Sequence, residues 1–181
     1  MATNLSWGAP FTEDDLAARP DDGHRYELID GALFVTPAPD LRHQLVVARL
    51  VVLLHGARQP DQDVLPAPLD VRLSRSTVLQ PDVLVARRED LTSARLETAP
   101  LLVVEVLSPS TRGIDLGTKR LAFEAAGVPA YWVVDPDVPS LTVLELDAGR
   151  YVERATVAGD EPFRATVPFA VTVVPARLLQ D

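Results

Sequence analysis

The sequence predicts an α/β (α+β) protein built on a mixed β-sheet with helices packed against it. Three observations lead there. Short apolar runs of strand length are interrupted by two longer helix-like segments, Asp-Gly and Ala-Gly turns join neighbouring runs as hairpins, and one run is apolar throughout except for a single carboxylate. With 181 residues and 47% hydrophobic content, the chain can bury one sizeable core and is short for two, so a single domain over residues 1–181 is expected. Its 16 prolines and nine glycines are dispersed, and no segment combines low hydrophobicity with high charge.

Taken in order, residues 12–18 suit a short helix with Thr12 as N-cap ahead of Glu13, Asp14 and Asp15. Tyr26 to Ile29 and Ala32 to Thr36 then form an N-terminal hairpin across Asp30-Gly31. After Pro37-Ala38-Pro39, residues 41–57 are apolar nearly all round. Their valines favour strand, but the length and the capping Asp40 favour a buried helix. Extended pieces at about 63–66 and 69–73 precede Pro81-Asp82, which opens the run Val83 to Ala86. The polar segment Arg87 to Pro100 leads to Leu101–Leu107, which has the pattern of a central strand covered on both sides. Asp115 to Ala126 reads as a helix stopped by Gly127 and Pro129, and Tyr131 to Val134 as the next strand. Leu141 to Leu146 and Tyr151 to Val157 form a second hairpin, a C-terminal β extension.

Without cysteine there is no disulfide, thiolate metal site or cysteine nucleophile, so any metal must sit on oxygen or histidine. The first residues lack a positive leader with an apolar run, and no stretch approaches a membrane span. A cytoplasmic protein without membrane contact is expected. The net charge of −9 counts against a module that holds nucleic acid by bulk electrostatics. It counts less against an enzyme, which needs only a local positive track.

A charge at the centre of a buried strand is costly unless paired or metal-bound, which singles out Glu105 in Leu-Leu-Val-Val-Glu-Val-Leu. Alternation puts Leu101, Val103, Glu105 and Leu107 on one face, and Leu102, Val104 and Val106 on the other. If the strand after Asp82 pairs with this one, Asp82 and Glu105 bring two carboxylates together, a donor set suited to Mg2+ or Mn2+. The plain alternatives are a structural ion pair for Glu105 and a turn or cap for Asp82. Of the 17 Lys+Arg residues only Lys119 is a lysine. On a helix from Asp115 it shares a face with Leu116, Ala122, Phe123 and Ala126 and should point inward; a solvated Asp115 to Lys119 pair is the competing reading.

PD, then a glutamate in an apolar strand, then a lysine on the following helix resembles the PD-(D/E)XK nuclease superfamily. More closely, the chain resembles the Uma family of proposed restriction endonucleases. The matching segments are RYELIDGALFVTPAPDLRHQ (Arg25 to Gln44), QPDVLVA (Gln80 to Ala86), and VVEVLSPSTRGIDLGTKR with GVPAYWVVDP (Val103 to Pro136), in a core of about residues 24–136. The resemblance implies a restriction-endonuclease-like core and a catalytic set of Asp82, Glu105, Lys119 and Glu27, with metal on Asp82 and Glu105. The superfamily pattern puts its lysine where this chain has Leu107; Uma-like chains carry it on the next helix, as Lys119 does here. His43 matches a family histidine and is a candidate for substrate binding, or else a helix cap. Glu27, on a candidate edge hairpin, is otherwise an exposed strand residue. Tyr131 and Trp132 are expected in the core.

The leading expectation is therefore a metal-dependent endonuclease acting on DNA, as a homodimer or higher assembly, since two sites related by a twofold axis suit two strands. The alternatives are an inactive nucleic-acid- or protein-binding module of a mobile-element or defence system, and a structural domain in which Glu105 is merely ion-paired.

Overall fold

Leu102–Val106 alternates side chains between two apolar layers, and that alternation organises the molecule. A computed structural model of the chain describes residues 3–5, 9–20, 22–92 and 94–180. In it a short helix α1 (Glu13–Ala17) precedes β2 (Arg25–Ile29) and β3 (Ala32–Thr36), with β1 (Thr3–Leu5) alongside β3. Next come α2 (Leu41–Ala57), β4 (Gln62–Pro66), β5 (Val71–Ser74), β6 (Thr77–Leu79), β7 (Val83–Arg87) and β8 (Leu102–Val106). Then α3 (Arg112–Ile114) runs through a π turn (Asp115–Lys119) into α4 (Arg120–Ala125). Last are β9 (Ala130–Asp135), β10 (Ser140–Asp147), β11 (Arg150–Ala158), β12 (Phe163–Ala165) and β13 (Val171–Val173).

The strands divide between two main sheets. One has six strands in the order β11-β10-β9-β8-β7-β4, antiparallel except for β8 and β9, whose parallel pairing needs the α3–α4 crossover. The other has five, in the order β1-β3-β2-β6-β5. β12 and β13 form a separate two-stranded pair. The expected mixed sheet is the six-stranded one. The hairpin expected at 26–36 forms, and its strand β2, like the extended piece expected at 69–73, pairs with β6, a strand too short to show a period in the sequence.

On one face of the six-stranded sheet, α2 buries Val46, Val47, Leu50 and Leu54 against Val104, Val106 and Trp132, with Phe169 and Leu178 closing the layer. On the other face Val103, Leu107, Tyr131 and Val133 pack with Phe123 of α4 and with Ile29 and Leu79 of the five-stranded sheet. Tyr131 and Trp132 are fully buried, in keeping with core roles. α2 is capped as its sequence predicts, since the Asp40 carboxylate accepts the His43 backbone N–H at 2.9 Å. At Asp30-Gly31 both residues take positive φ, 49° and 78°, and a Cβ on Gly31 would lie 2.5 Å from Pro10 Cβ, so only glycine fits. No helix among the described residues is long and apolar enough to cross a membrane.

Two expectations change. β2 lies between β3 and β6, inside its sheet, so Glu27 is buried rather than on an edge hairpin. Leu116 does not face the sheet: it is 44% exposed. The π turn widens the helix between Asp115 and Lys119 and changes the phase of the apolar stripe, turning Asp115 and Lys119 inward where a regular helix from Asp115 would bury Leu116.

Candidate active site

The register Val83↔Val104 sets Asp82, just before β7, opposite Glu105 on β8, on the face toward the five-stranded sheet. The Asp82 backbone N–H points at Glu105 Oε2, 3.4 Å away. Opposite them β2 presents Arg25 and Glu27, two residues apart and therefore on one side of the strand. The π turn adds Asp115 and Lys119. The four predicted catalytic residues, Asp82, Glu105, Lys119 and Glu27, thus converge, and all four are buried.

Lys119 Nζ is 2.7 Å from Glu105 Oε1, 3.1 Å from Glu27 Oε1 and 3.7 Å from Asp115 Oδ1. The shortest contact is an ion pair without the angles of a directed hydrogen bond. Glu27 Oε1 also accepts the Gln80 N–H at 2.8 Å. Asp82 has its own set: Arg25 Nη1 at 3.0 Å on Oδ1, and His43 Nε2 at 3.1 Å and the Val106 N–H at 2.9 Å on Oδ2. His43 therefore does more than occupy a capped helix turn, since its ring meets the predicted metal ligand. Its Nδ1 is buried without a partner, so the ring meets the site through Nε2 alone, on Asp82 Oδ2.

At Asp82, Glu105 and Asp115 burial opposes ionisation, and the neighbours decide the outcome. At Asp82 the burial penalty is outweighed by the His43 hydrogen bond and by the Arg25, His43 and Lys119 charges, which hold the carboxyl well below its usual range. Burial drives Glu105 well up; Lys119 only partly offsets it, and the charges of Asp115, Asp82 and Glu27 add to the rise. Asp115 is raised by burial for the same reason, despite Lys119 and a Thr111 hydrogen bond. Burial by itself would discharge Lys119, but Glu105, Glu27 and Asp115 together keep it firmly protonated.

Counting permanent charges, four carboxylates (Glu27, Asp82, Glu105, Asp115) face two cations, Arg25 and Lys119, so full ionisation would leave a deficit of two positive charges. No cluster of three or more His, Asp or Glu arranged to hold a metal occurs among the described residues. The donor chemistry nevertheless suits a hard divalent ion. Asp82 and Glu105 are adjacent oxygen donors in a site short of two positive charges, and such ions are often held by one or two carboxylates plus water and phosphate oxygens.

Two adjoining clefts lead to this cluster. The first, of about 360 Å³, is lined by Arg25, His43, Gln80 and Asp82 with Pro37 to Pro39 and Pro68; the second, of about 330 Å³, shares Arg25, His43 and Pro37 to Pro39 and ends at Ser108 to Thr111. Arg25, Asp115 and Gln80 were not assigned a role by the sequence. Arg25 had a signal, since it stands two residues before Glu27 within RYELIDG and must share its face. Asp115 was expected only as the solvated partner of Lys119; the pair forms at 3.7 Å, but the π segment turns it inward and buries it.

A family model described as "Putative restriction endonuclease", Uma2, matches residues 13–175. The chain belongs to the Uma2 family. No functionally curated protein matches it. Among solved structures it is similar to "a putative nuclease belonging to DUF820" from Anabaena variabilis ATCC 29413, with 20% identity, a TM-score of 0.77, and coverage of 94% of this chain and 98% of that one. The fold is thus shared over nearly the whole length of both chains. The buried set Glu27, Asp82, Glu105 and Lys119 lies inside the matched region.

Proposed function

We propose that the chain is a divalent-metal-dependent nuclease that hydrolyses phosphodiester bonds of DNA, with Asp82 and Glu105 as the protein ligands of Mg2+ or Mn2+. The observation that carries the reading is the buried charge deficit, four carboxylates against two permanent cations, in a cluster that meets a cleft through Asp82 and Arg25. A network kept only for stability gains nothing from excess buried acid, whereas a metal site requires it. Membership of the Uma2 family and likeness to a structure described as a nuclease support the same reading.

A bound divalent ion supplies charge stabilisation to a phosphoryl oxygen and lowers the pKa of water beside it. The chain's own residues prepare that place. His43 and the Val106 N–H fix the Asp82 carboxylate in one orientation. Glu27 and Asp115 hold Lys119 protonated next to Glu105, so a fixed positive charge stands ready for charge that develops on the phosphate in the transition state. The prolines at 37, 39 and 68 give the cleft rigid apolar walls. Cutting a duplex would call on two such sites, so the reading extends to a homodimer. Light scattering that finds a monomer at about tens of micromolar, where specific dimers persist, removes that extension.

The second reading, an inert binding module, also has an observation in its favour: Asp82 and Glu105 already meet protein cations without any metal. A cleavage assay on linear, supercoiled and single-stranded DNA with Mn2+, Mg2+ or chelator separates them. We expect cleavage with metal, none with chelator and none by Glu105→Gln. Absence of cleavage together with absence of Mn2+ binding would remove the nuclease reading and favour a domain in which Glu105 is merely ion-paired.

A further inference from the structure

Arg25 differs from the rest of the buried cluster in two ways. Its side chain is 16% exposed, whereas those of Asp82, Glu105, Glu27, Asp115 and Lys119 are 1–4% exposed. It also lines both clefts, as no other arginine or lysine does. Both of its protein contacts use one nitrogen: Nη1 donates to Asp82 Oδ1 at 3.0 Å and to the Gln80 carbonyl at 3.1 Å. Nε and Nη2 donate to no group among the described residues. One edge of the guanidinium is spent on Asp82, and the remaining donors belong to a side chain that borders the clefts.

A divalent ion at Asp82 changes that balance. With an ion held there, Nη1 would have to share the Asp82 carboxylate, and the guanidinium would meet repulsion at short range in a poorly solvated site. Asp82 keeps His43 and the Val106 N–H on Oδ2 in the meantime, so releasing Arg25 does not leave the carboxylate without orientation. A freed guanidinium beside a cleft is a planar fork that matches phosphate oxygens, in a protein of net charge −9 whose two clefts offer no second permanent cation.

We infer that Arg25 is an exchangeable counter-ion: it neutralises Asp82 until a divalent cation takes that carboxylate, and then gives its guanidinium to a phosphate of the bound nucleic-acid strand. The inference rests on the nuclease reading above and adds to it a substrate-binding residue and an order of events. It has a distinctive sign. Removing Arg25 strengthens metal binding and weakens strand binding, whereas loss of a passive scaffold residue would weaken both.

The test is calorimetric titration of Mn2+ into the parental protein, Arg25→Met and Arg25→Lys without nucleic acid, followed by fluorescence anisotropy with labelled single-stranded and duplex oligonucleotides in Ca2+. Arg25→Met should bind Mn2+ more tightly and the oligonucleotide more weakly, each by about tenfold, the scale of one charge-assisted contact. Arg25→Lys keeps a cation for Asp82 and so protects the fold. It should bind Mn2+ within about threefold of the parental protein and still lose strand affinity, because an ammonium lacks the second donor edge. Mn2+ affinity that falls or stays level in Arg25→Met overturns the exchange, as does parental strand affinity in Arg25→Lys should Arg25→Met fail to fold. Inorganic phosphate competing as tightly as the oligonucleotide would assign the contact to a free anion and overturn the strand assignment. A parental protein that binds no Mn2+ at all removes the nuclease reading, and the exchange with it.

Discussion

Two charged networks stand at opposite extremes in this molecule. Near α1, Glu13 takes a two-pronged contact from Arg72, at 2.6 and 2.9 Å, and a third from Arg95 at 3.0 Å, while Glu97 and Asp14 complete the set with Arg95 and Arg75. Three acids meet three arginines, most of them in contact with water. At the candidate active site four acids meet two permanent cations in an almost dry interior. The first network pulls Glu13 down to about 2, chiefly through the Arg72 hydrogen bond. The second pushes Glu105 and Asp115 up, chiefly through burial. A network that serves the fold closes its own charge, and one left short of positive charge is prepared for something else.

The largest effect should come from Lys119→Met, which removes the cation around which Glu105, Glu27 and Asp115 are gathered. Breaking such a buried set by deleting one side costs on the order of 3–5 kcal/mol, read as a shift in urea denaturation. The cost should be greater at alkaline than at mildly acidic pH, because the orphaned carboxylates can take up protons as the pH falls. Cleavage per folded molecule should drop by about 100-fold or more, as when one preorganised electrostatic contact is lost. Lys119→Arg should not restore it, since a planar fork does not fit the place of a compact amine. Parental stability in Lys119→Met would erase the distinction between the two networks.

An intermediate effect concerns pH and metal together. Glu105 and Asp115 have folded-state values above their ordinary ones, so the stability linked to them is present at low pH and is lost as pH rises through the raised values. Asp82 runs the other way, with stability kept above its ordinary value and lost as pH falls through the lowered one. In chelator the first pair should therefore depress stability as the pH rises from about 5 to 8. Mn2+ should reverse this by compensating the ionised carboxylates, adding about 2.7 kcal/mol at 100 times its Kd. The gap between melting curves with and without Mn2+ should widen with pH. A gap that narrows would mean that the excess acid is not what receives the ion.

Much of this contrast was legible in the sequence, for identifiable reasons. Glu105 stood out because charge inside an unbroken apolar strand is costly, and Lys119 because it is the sole lysine. Both hairpins followed from their turns, and α2 from its length and Asp40. What stayed hidden depends on tertiary placement. Glu27 looked like an edge residue because β6, only Thr77–Leu79, is too short to reveal that it covers β2. Asp115 and Leu116 exchange their expected environments through a π turn that a 3.6-residue period cannot anticipate. Arg25 could be placed on the face of Glu27 by its spacing, but only the convergence of β2 with the start of β7 sets it on Asp82.

The smallest effect should come from Glu13→Gln, despite contacts as short as any in the active-site cluster. Arg72 and Arg95 keep Glu97 as a partner, at 3.5 and 2.7 Å, and both guanidiniums lie partly in water, which replaces lost hydrogen bonds at little cost. Short distance measures how well the partners are placed, whereas burial determines what is lost when one of them is removed. The urea midpoint of Glu13→Gln should therefore move little beside that of Lys119→Met. What difference exists should shrink further in about 1 M salt, where the screening length falls to about 3 Å. Because Glu13 is lowered from 4.5 to about 2, its contribution should persist above 4.5 and fade only as the pH drops toward 2. Mn2+ affinity and cleavage should be unaffected, since Glu13 lines neither cleft. Should Glu13→Gln prove as damaging as Lys119→Met, geometry rather than charge balance would be what separates the two networks, and the deficit at Glu105 would lose its meaning as a mark of function.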